Sequence, residues 1–279
     1  MDYRTGLVLS GGGTKGIAHA GVLKFLEEKQ IKVDVISGTS AGALVGALYA
    51  YGKSPEDILA FFQSVHFFNW KHLVFNKPGI VSSDIFRIYL EPIFGNSKIK
   101  ESRIPLLLTA TDLGTGTLHV FDEDTEVIDA IISSAAIPGV ATPYSINEEI
   151  YCDGGIINNF PADLLNNKVE KMIGVYLSPM EKLNQNKIKS IRSVTERALE
   201  ILLYRSEQHK FELCDWFIPL NKLSSYGRFE TKKQRTQEIF DIGYISAQDT
   251  FADSLFYQDA KSIIDRKSTR LNSSHITIS

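Results

Sequence analysis

Cysteine is scarce in this chain. Only Cys152 and Cys214 occur in 279 residues, so at most one disulfide can form, and free thiols in a reducing compartment are the simpler expectation. No grouping of His, Cys and acidic residues has metal-site spacing, so neither a metal nor another cofactor is expected. An excess of one charge is also missing: 30 Lys and Arg stand against 33 Asp and Glu, for a formal net charge of -3. The basic residues are dispersed, and the short group from Lys187 to Arg192 reads as a solvated helix start, which argues against nucleic acid as a partner and against strong electrostatic anchoring. Long apolar runs are absent too. The longest weakly charged stretch, Ile36 to Tyr51, is broken by a glycine-rich turn and reads as core, not as a membrane span. No cationic start followed by an apolar run opens the chain, so no Sec-type signal peptide is expected and a cytoplasmic location is the expectation.

What is present is a set of short apolar runs separated by helical segments. Leu7–Leu9, Val33–Ile36, Leu106–Ala110 and Met172–Leu177 have the length and branching of central strands. Helices between buried strands imply an α/β sheet covered on both faces. The length suits one domain, or one domain with an appended helical part.

Two of these strands run into glycine-rich turns. After Val35-Ile36 comes Gly38-Thr39-Ser40-Ala41-Gly42, then the small-residue helical stretch from Ala43 to Leu48. Strand, sharp turn and helix with a serine at the apex is an arrangement from which a hydroxyl can attack a carbonyl. After Leu9 comes Ser10-Gly11-Gly12-Gly13-Thr14-Lys15-Gly16, then a helix to about Glu28. Consecutive glycine amides beside a helix N-terminus can hold a phosphate or a developing oxyanion. Gly11, Gly12 and Gly13, with the amide of Ala41, are the candidate oxyanion donors. A dinucleotide reading also stays open: Gly11, Gly13 and Gly16 satisfy GxGxxG, and Asp34 lies at about the distance of a ribose-binding acid. That reading leaves the serine turn directly after Asp34 unexplained. A P-loop is excluded, because Ile17-Ala18 stands where Lys and Ser or Thr are required.

A base for Ser40 is not found among the histidines. His209 lies in a charged helical stretch, His275 in a polar tail, His19 on the helix after the glycine loop, and His66, His72 and His119 have no motif around them. Asp153, in Tyr151-Cys152-Asp153-Gly154-Gly155, follows a short extended segment and is held by two glycines. A carboxylate bonded to the serine can act as general base, although Asp-Gly is equally the sequence of a plain hairpin turn. Asp112 also follows an apolar strand and is read as structural.

Taken together the motifs resemble the patatin-like phospholipase family of bacterial lipid acyl hydrolases. The resemblance is carried by Gly11–Gly16, by Gly38–Gly42 and by Asp153-Gly154-Gly155, with Ala110-Thr111-Asp112-Leu113 and Ser133–Gly139 between them, over about residues 5 to 180. It implies a three-layer α/β/α fold around a mostly parallel sheet. It also implies a Ser40–Asp153 dyad, a glycine-loop oxyanion hole supported by Lys15, Gly16, Gly38, Gly42, Gly154 and Gly155, and a phospholipid or other acyl ester as substrate. The family's loop usually carries an arginine where this chain has Lys15, which keeps the charge and loses the planar fork. A non-catalytic lipid-binding or regulatory protein on the same fold is the alternative.

Dense aromatics between Ile58 and Val74 suit an acyl pocket, a lid or a membrane-facing surface, with core packing their commonest use. Phe61, Phe62, Phe67, Phe68 and Pro138 are the candidate pocket residues. Residues 1–183 are expected to form the catalytic core. Residues 184–267 read as a helical portion that completes or caps it, with a homodimer surface as a further expectation, and 268–279 as a non-native or disordered tail. Peripheral contact with the inner membrane surface is the remaining expectation about partners.

Overall fold

A computed structural model describes residues 1–65, 78–180, 182, 188–227 and 229–258. The chain alternates between strand and helix through most of its length. β1 (Tyr3–Leu9), α1 (Ile17–Glu28), β2 (Val35–Thr39), α2 (Ala41–Ala50), α3 (Pro55–Ser64), α4 (Ile85–Phe94) and β3 (Leu106–Asp112) come first. β4 (Thr117–Val120), α5 (Val127–Ser134), β5 (Tyr144–Ile146), β6 (Glu149–Asp153) and β7 (Val169–Tyr176) follow, then α6 (Ile191–Glu207), β8 (Trp216–Pro219) and α7 (Lys233–Phe251).

Hydrogen-bonded neighbours run β5-β6-β3-β2-β1-β7-β8, with β4 also on β3. From β3 to β8 every pairing is parallel, and β4, β5 and β6 add antiparallel ladders. Parallel strands buried on both faces need apolar side chains in succession, and their alternation separates two cores. Leu7, Leu9, Ile173 and Val175 point into the larger one, shared with α1, α2, α3, α5 and α7. Val8, Met172 and Tyr176 point into the smaller one, closed by Phe160, Leu165 and the aromatics Tyr204, Phe211 and Phe217. The result is an α/β/α arrangement whose second outer layer consists of α6 and short helical turns.

The register of β3 places the ends of two strands together. Thr109 faces Thr39 of β2 on one edge and Val120 of β4 on the other. Ala110 to Asp112 face β4 on that second edge, so their pairing with Tyr151 to Asp153 puts β6 on the same edge as β2. β2 and β6 therefore run head-on along one edge of β3. Where they meet, the next residue of one is Ser40 and the last residue of the other is Asp153.

Past residue 183 the chain supplies more than the helices suggested by its periodicity. Trp216–Pro219 joins the sheet as a parallel strand beside β7, and α7 lies against α1 so closely that a side chain on Gly243 would come within 1.9 Å of the Ala18 carbonyl. The tail at 268–279 lies outside the described residues. Among the described residues no helix is long and apolar enough to cross a membrane.

Candidate functional site

The path from β2 into α2 fixes Ser40. Thr39 is the last strand residue and Ala41 the first helical one, which leaves Ser40 to make the turn alone at φ 54° and ψ -119°. A side chain at positive φ is strained and persists only where its surroundings hold it. Its neighbours do so. The Ser40 amide donates to Ser134 Oγ at 2.7 Å. The neighbouring Thr39 hydroxyl donates to the Asn158 carbonyl at 2.8 Å and lies 2.7 Å from Thr109 Oγ1. Gly42 lets α2 start against β1, because a Cβ there would stand 2.0 Å from the Leu9 carbonyl oxygen.

Ser40 Oγ donates to Asp153 Oδ2 at 2.6 Å, and both residues are buried, with 4% and 8% of their surface exposed. The other carboxylate oxygen of Asp153 accepts the Gly155 amide at 2.8 Å, which holds its plane against the serine. The Asp153 backbone is held in turn, its amide on Ala136 and its carbonyl by Thr111 Oγ1. A short hydrogen bond to a buried, oriented carboxylate is the geometry from which a serine proton can be removed.

Ser40 opens onto an apolar cavity lined among others by Gly13, Ala41, Leu44, Phe62, Val81 and Phe86. Ala135, Ile137, Val140, Ala141 and Phe229 complete much of its wall. Of the pocket residues expected from sequence, Phe62 is on this wall. Phe61 is not: its ring packs edge-on against Phe62, 6.0 Å away, on the side of the core. Pro138 is likewise replaced by its neighbours Ile137 and Val140, and Phe67 and Phe68 lie outside the described residues. Leu44, Val81, Phe86 and Phe229 carry no local sign of this role in the sequence, because each is an ordinary apolar residue whose place depends on tertiary packing.

The glycine loop divides between two sides. Gly13, at φ 63°, adopts a left-handed backbone that costs glycine little, and it stands in the cavity wall with Ala41 at the first turn of α2. Gly11 is a correction to the expected donor set. Its amide donates to the Asn159 carbonyl at 3.1 Å and is spent there, and a Cβ on it would approach Ser40 Cβ to 3.2 Å. Its place beside the serine is therefore that of a spacer. Gly12 shares with Gly11 a second, smaller and more polar cavity, lined also by Asn159, Tyr176, Ser178, Glu200 and Leu203. Lys15 belongs to the short helical turn Gly13–Gly16, and Gly16 packs where a Cβ would lie 2.7 Å from that of Ala41. Gly38 and Gly154 allow similar approaches, to the Gly42 and Thr109 carbonyls at 2.6 Å each.

The remaining candidates fall elsewhere. His19 is fully buried, and burial takes its pKa down to about 4, so the ring is neutral and its Nε2–H donates to the Ser10 carbonyl at 2.9 Å. His119 packs against the rings of Phe121 and Tyr151, which also touch each other, and His209 is exposed. Asp112 accepts the amides of Gly114 and Thr115 in its own turn. Asp34 stands before β2 while the glycine loop and Ser40 follow β1 and β2, so roughly 20 Å of parallel strand separates them. Its carboxylate accepts the Thr5 amide and pairs with Lys32, which removes the ribose-binding role. Burial, then the Asp153 carboxylate, pushes the Cys152 thiol up to about 11, and Cys152 and Cys214 are both free. Among the described residues no cluster of His, Cys, Asp and Glu suits a metal ion.

The patatin-like phospholipase profile matches residues 7–166. The patatin-like phospholipase domain-containing protein ZK370.4 of Caenorhabditis elegans is 31% identical over 172 residues, covering 58% of this chain and 12% of its own length. Neuropathy target esterase sws of Drosophila melanogaster is 31% identical over 173 residues, again 58% of this chain and 12% of its own. This chain thus spans about an eighth of these relatives. The crystal structure of VipD from Legionella pneumophila superposes with a TM-score of 0.56 at 14% identity, covering 91% of this chain and 67% of that one.

Proposed function

Because the chain belongs to the patatin-like phospholipase family, we propose that it is a serine acyl hydrolase that cleaves the carboxylic esters of lipids through Ser40 and Asp153. The observation that carries this reading is the 2.6 Å hydrogen bond from Ser40 Oγ to Asp153 Oδ2 at the wall of an apolar cavity. Asp153 takes the hydroxyl proton as Ser40 Oγ bonds to the ester carbonyl carbon. The carbonyl oxygen gains the negative charge and is met by the amides of Gly13 and Ala41, with the N-terminus of α2 behind them. The Ser40 and Gly11 amides, already donating to Ser134 and Asn159, take no part. Collapse expels the alcohol, which leaves with the proton from Asp153. Water, deprotonated by the same carboxylate, then attacks the acyl-serine; the bond to Ser40 Oγ breaks, Asp153 returns the proton to that oxygen, and the fatty acid is released. Leu44, Phe62 and Phe86 receive the acyl chain, and burial of each methylene favours a lipid substrate by about 0.8 kcal/mol.

The finer parts of the proposal concern the surroundings. Residues 1–183 act as the core, completed by 184–267, a division supported by β8 on β7 and α7 on α1. The substrate is taken from a lipid surface, a reading supported by the outward apolar side chains Ile191, Val194, Ile201 and Leu202 of α6. The test is turnover of a short-chain nitrophenyl ester and of mixed-chain phosphatidylcholine vesicles, with stoichiometric labelling of Ser40 by a fluorophosphonate. Labelling with turnover of vesicles supports a lipid hydrolase. Ester turnover alone supports a general esterase, and the absence of both turnover and labelling overturns the reading.

A further inference from the structure

Four polar side chains lie behind the site, on the face of the sheet away from α1, and two of them are outside the residues matched by the family. Glu207 ends α6 and is fully buried, and Lys210, in the helical turn that follows, is 8% exposed. Their side chains pair at 2.8 Å. A buried ion pair is seldom retained for stability, since matched apolar side chains often serve as well. The reason for this pair is better sought in what else its atoms hold.

Each partner grips one of two consecutive asparagines. Glu207 Oε1 accepts the Asn159 amide at 3.0 Å, and Lys210 Nζ donates to Asn158 Oδ1 at 2.8 Å. The Asn158 side-chain amide donates to Asp163, which also faces Lys210 at 3.4 Å. The backbones of the same two asparagines reach the site from the other side. The Asn158 carbonyl accepts the hydroxyl of Thr39, the residue before Ser40, and the Asn159 carbonyl accepts the amide of Gly11. The Asn158 amide donates to the carbonyl of Gly154, next to Asp153. One dipeptide therefore ties together the three segments that carry the nucleophile, the base and the glycine loop, and Glu207 with Lys210 fixes that dipeptide.

We propose that Glu207 and Lys210 are positioning residues for acyl transfer, setting through Asn158 and Asn159 the mutual placement of Ser40, Asp153 and the glycine loop. The proposal rests on the hydrolase reading above. Misplacement of reacting groups by about 1 Å can cost on the order of 100-fold in rate, so loss of the clamp acts on turnover more than on substrate affinity.

The experiment compares wild type with Glu207→Leu/Lys210→Met, which leaves no buried charge without its partner, and with Glu207→Gln, which keeps shape and one acceptor. Thermal unfolding, kcat, KM and the rate of fluorophosphonate labelling are read on each. The expected result is a folded double variant with kcat lowered at least about tenfold, KM within about threefold, and Ser40 labelled slowly but to full stoichiometry. Glu207→Gln is expected to fall between this and wild type. A folded double variant with wild-type kcat overturns the proposal, and so does failure of both variants to fold, which would make the pair a determinant of the fold alone. A wild type with neither turnover nor labelling is a different result: it overturns the hydrolase reading first and this proposal with it.

Discussion

A serine hydroxyl becomes an effective nucleophile when its proton has a destination, and at Ser40 the destination is one oxygen of a carboxylate whose other oxygen is held by the Gly155 amide. The local sequence around both residues announces this: Gly38 to Gly42 reads as a strand-to-helix turn, and Asp153-Gly154-Gly155 as a tight turn that aims a side chain. What local sequence does not announce is which of the glycines faces the cavity. Three consecutive glycines look equivalent, yet Gly11 is bonded to Asn159 across nearly 150 residues of chain, while Gly13 faces the cavity. His19 is a second case. Its pKa is lowered to about 4 by burial, and the unfolded chain, with a value near 6.5, binds the proton more readily. The stability from keeping His19 neutral is thus full above pH 6.5, declines as pH falls, and is gone by about pH 4. The difference corresponds to about 3 kcal/mol. Urea unfolding at pH 7 and pH 5 is expected to show a smaller loss of stability on acidification in His19→Gln than in wild type. Equal losses would remove His19 from the acid response.

At the scale of elements, α5 and α2 both shape the site. α5 ends at Ser134, whose hydroxyl oxygen accepts the amide of the strained Ser40. Ser134→Ala leaves that amide without its acceptor, with an expected stability loss of about 1 kcal/mol and a kcat lowered about tenfold as the turn relaxes. Unfolding and nitrophenyl ester kinetics check both, and an unchanged kcat would show that the turn holds itself. α2 is buried around nearly its whole circumference, and Leu44, one turn into it, lines the cavity. Leu44→Phe is expected to spare acetyl and butyryl esters and to lower kcat/KM for decanoyl esters by about tenfold, the effect of a shortened apolar pocket. A uniform fall across chain lengths would place the acyl chain elsewhere. The pocket wall was only partly legible for a related reason. Aromatic density pointed to the stretch around Phe61 and Phe62, whereas Phe229 comes from more than 160 residues later and carries no local sign of its role.

Across the whole molecule, the sheet brings the C-terminal ends of β1 and β2 to one edge, where ligands bind in open α/β folds. Apolar runs identified β1, β2, β3 and β7 because parallel strands buried on both faces are apolar without interruption. β8 escaped: four residues, Trp216–Pro219, in an aromatic and polar stretch form a strand only because the edge of β7 is there to pair with. The head-on meeting of β2 and β6 was invisible for the same reason, since it follows from register along β3 and not from either strand's sequence. That meeting is what makes one site of Ser40 and Asp153, which lie 113 positions apart. The joint role of Ser40 and Asp153 is checked by the hydrolysis of a short-chain nitrophenyl ester by wild type, Ser40→Ala and Asp153→Asn, all verified as folded. The expected result is turnover by wild type, none by Ser40→Ala, and kcat lowered about 10²–10⁴-fold in Asp153→Asn, the range for loss of a general base. Wild-type turnover by a folded Asp153→Asn would show that Asp153 is not the base for Ser40.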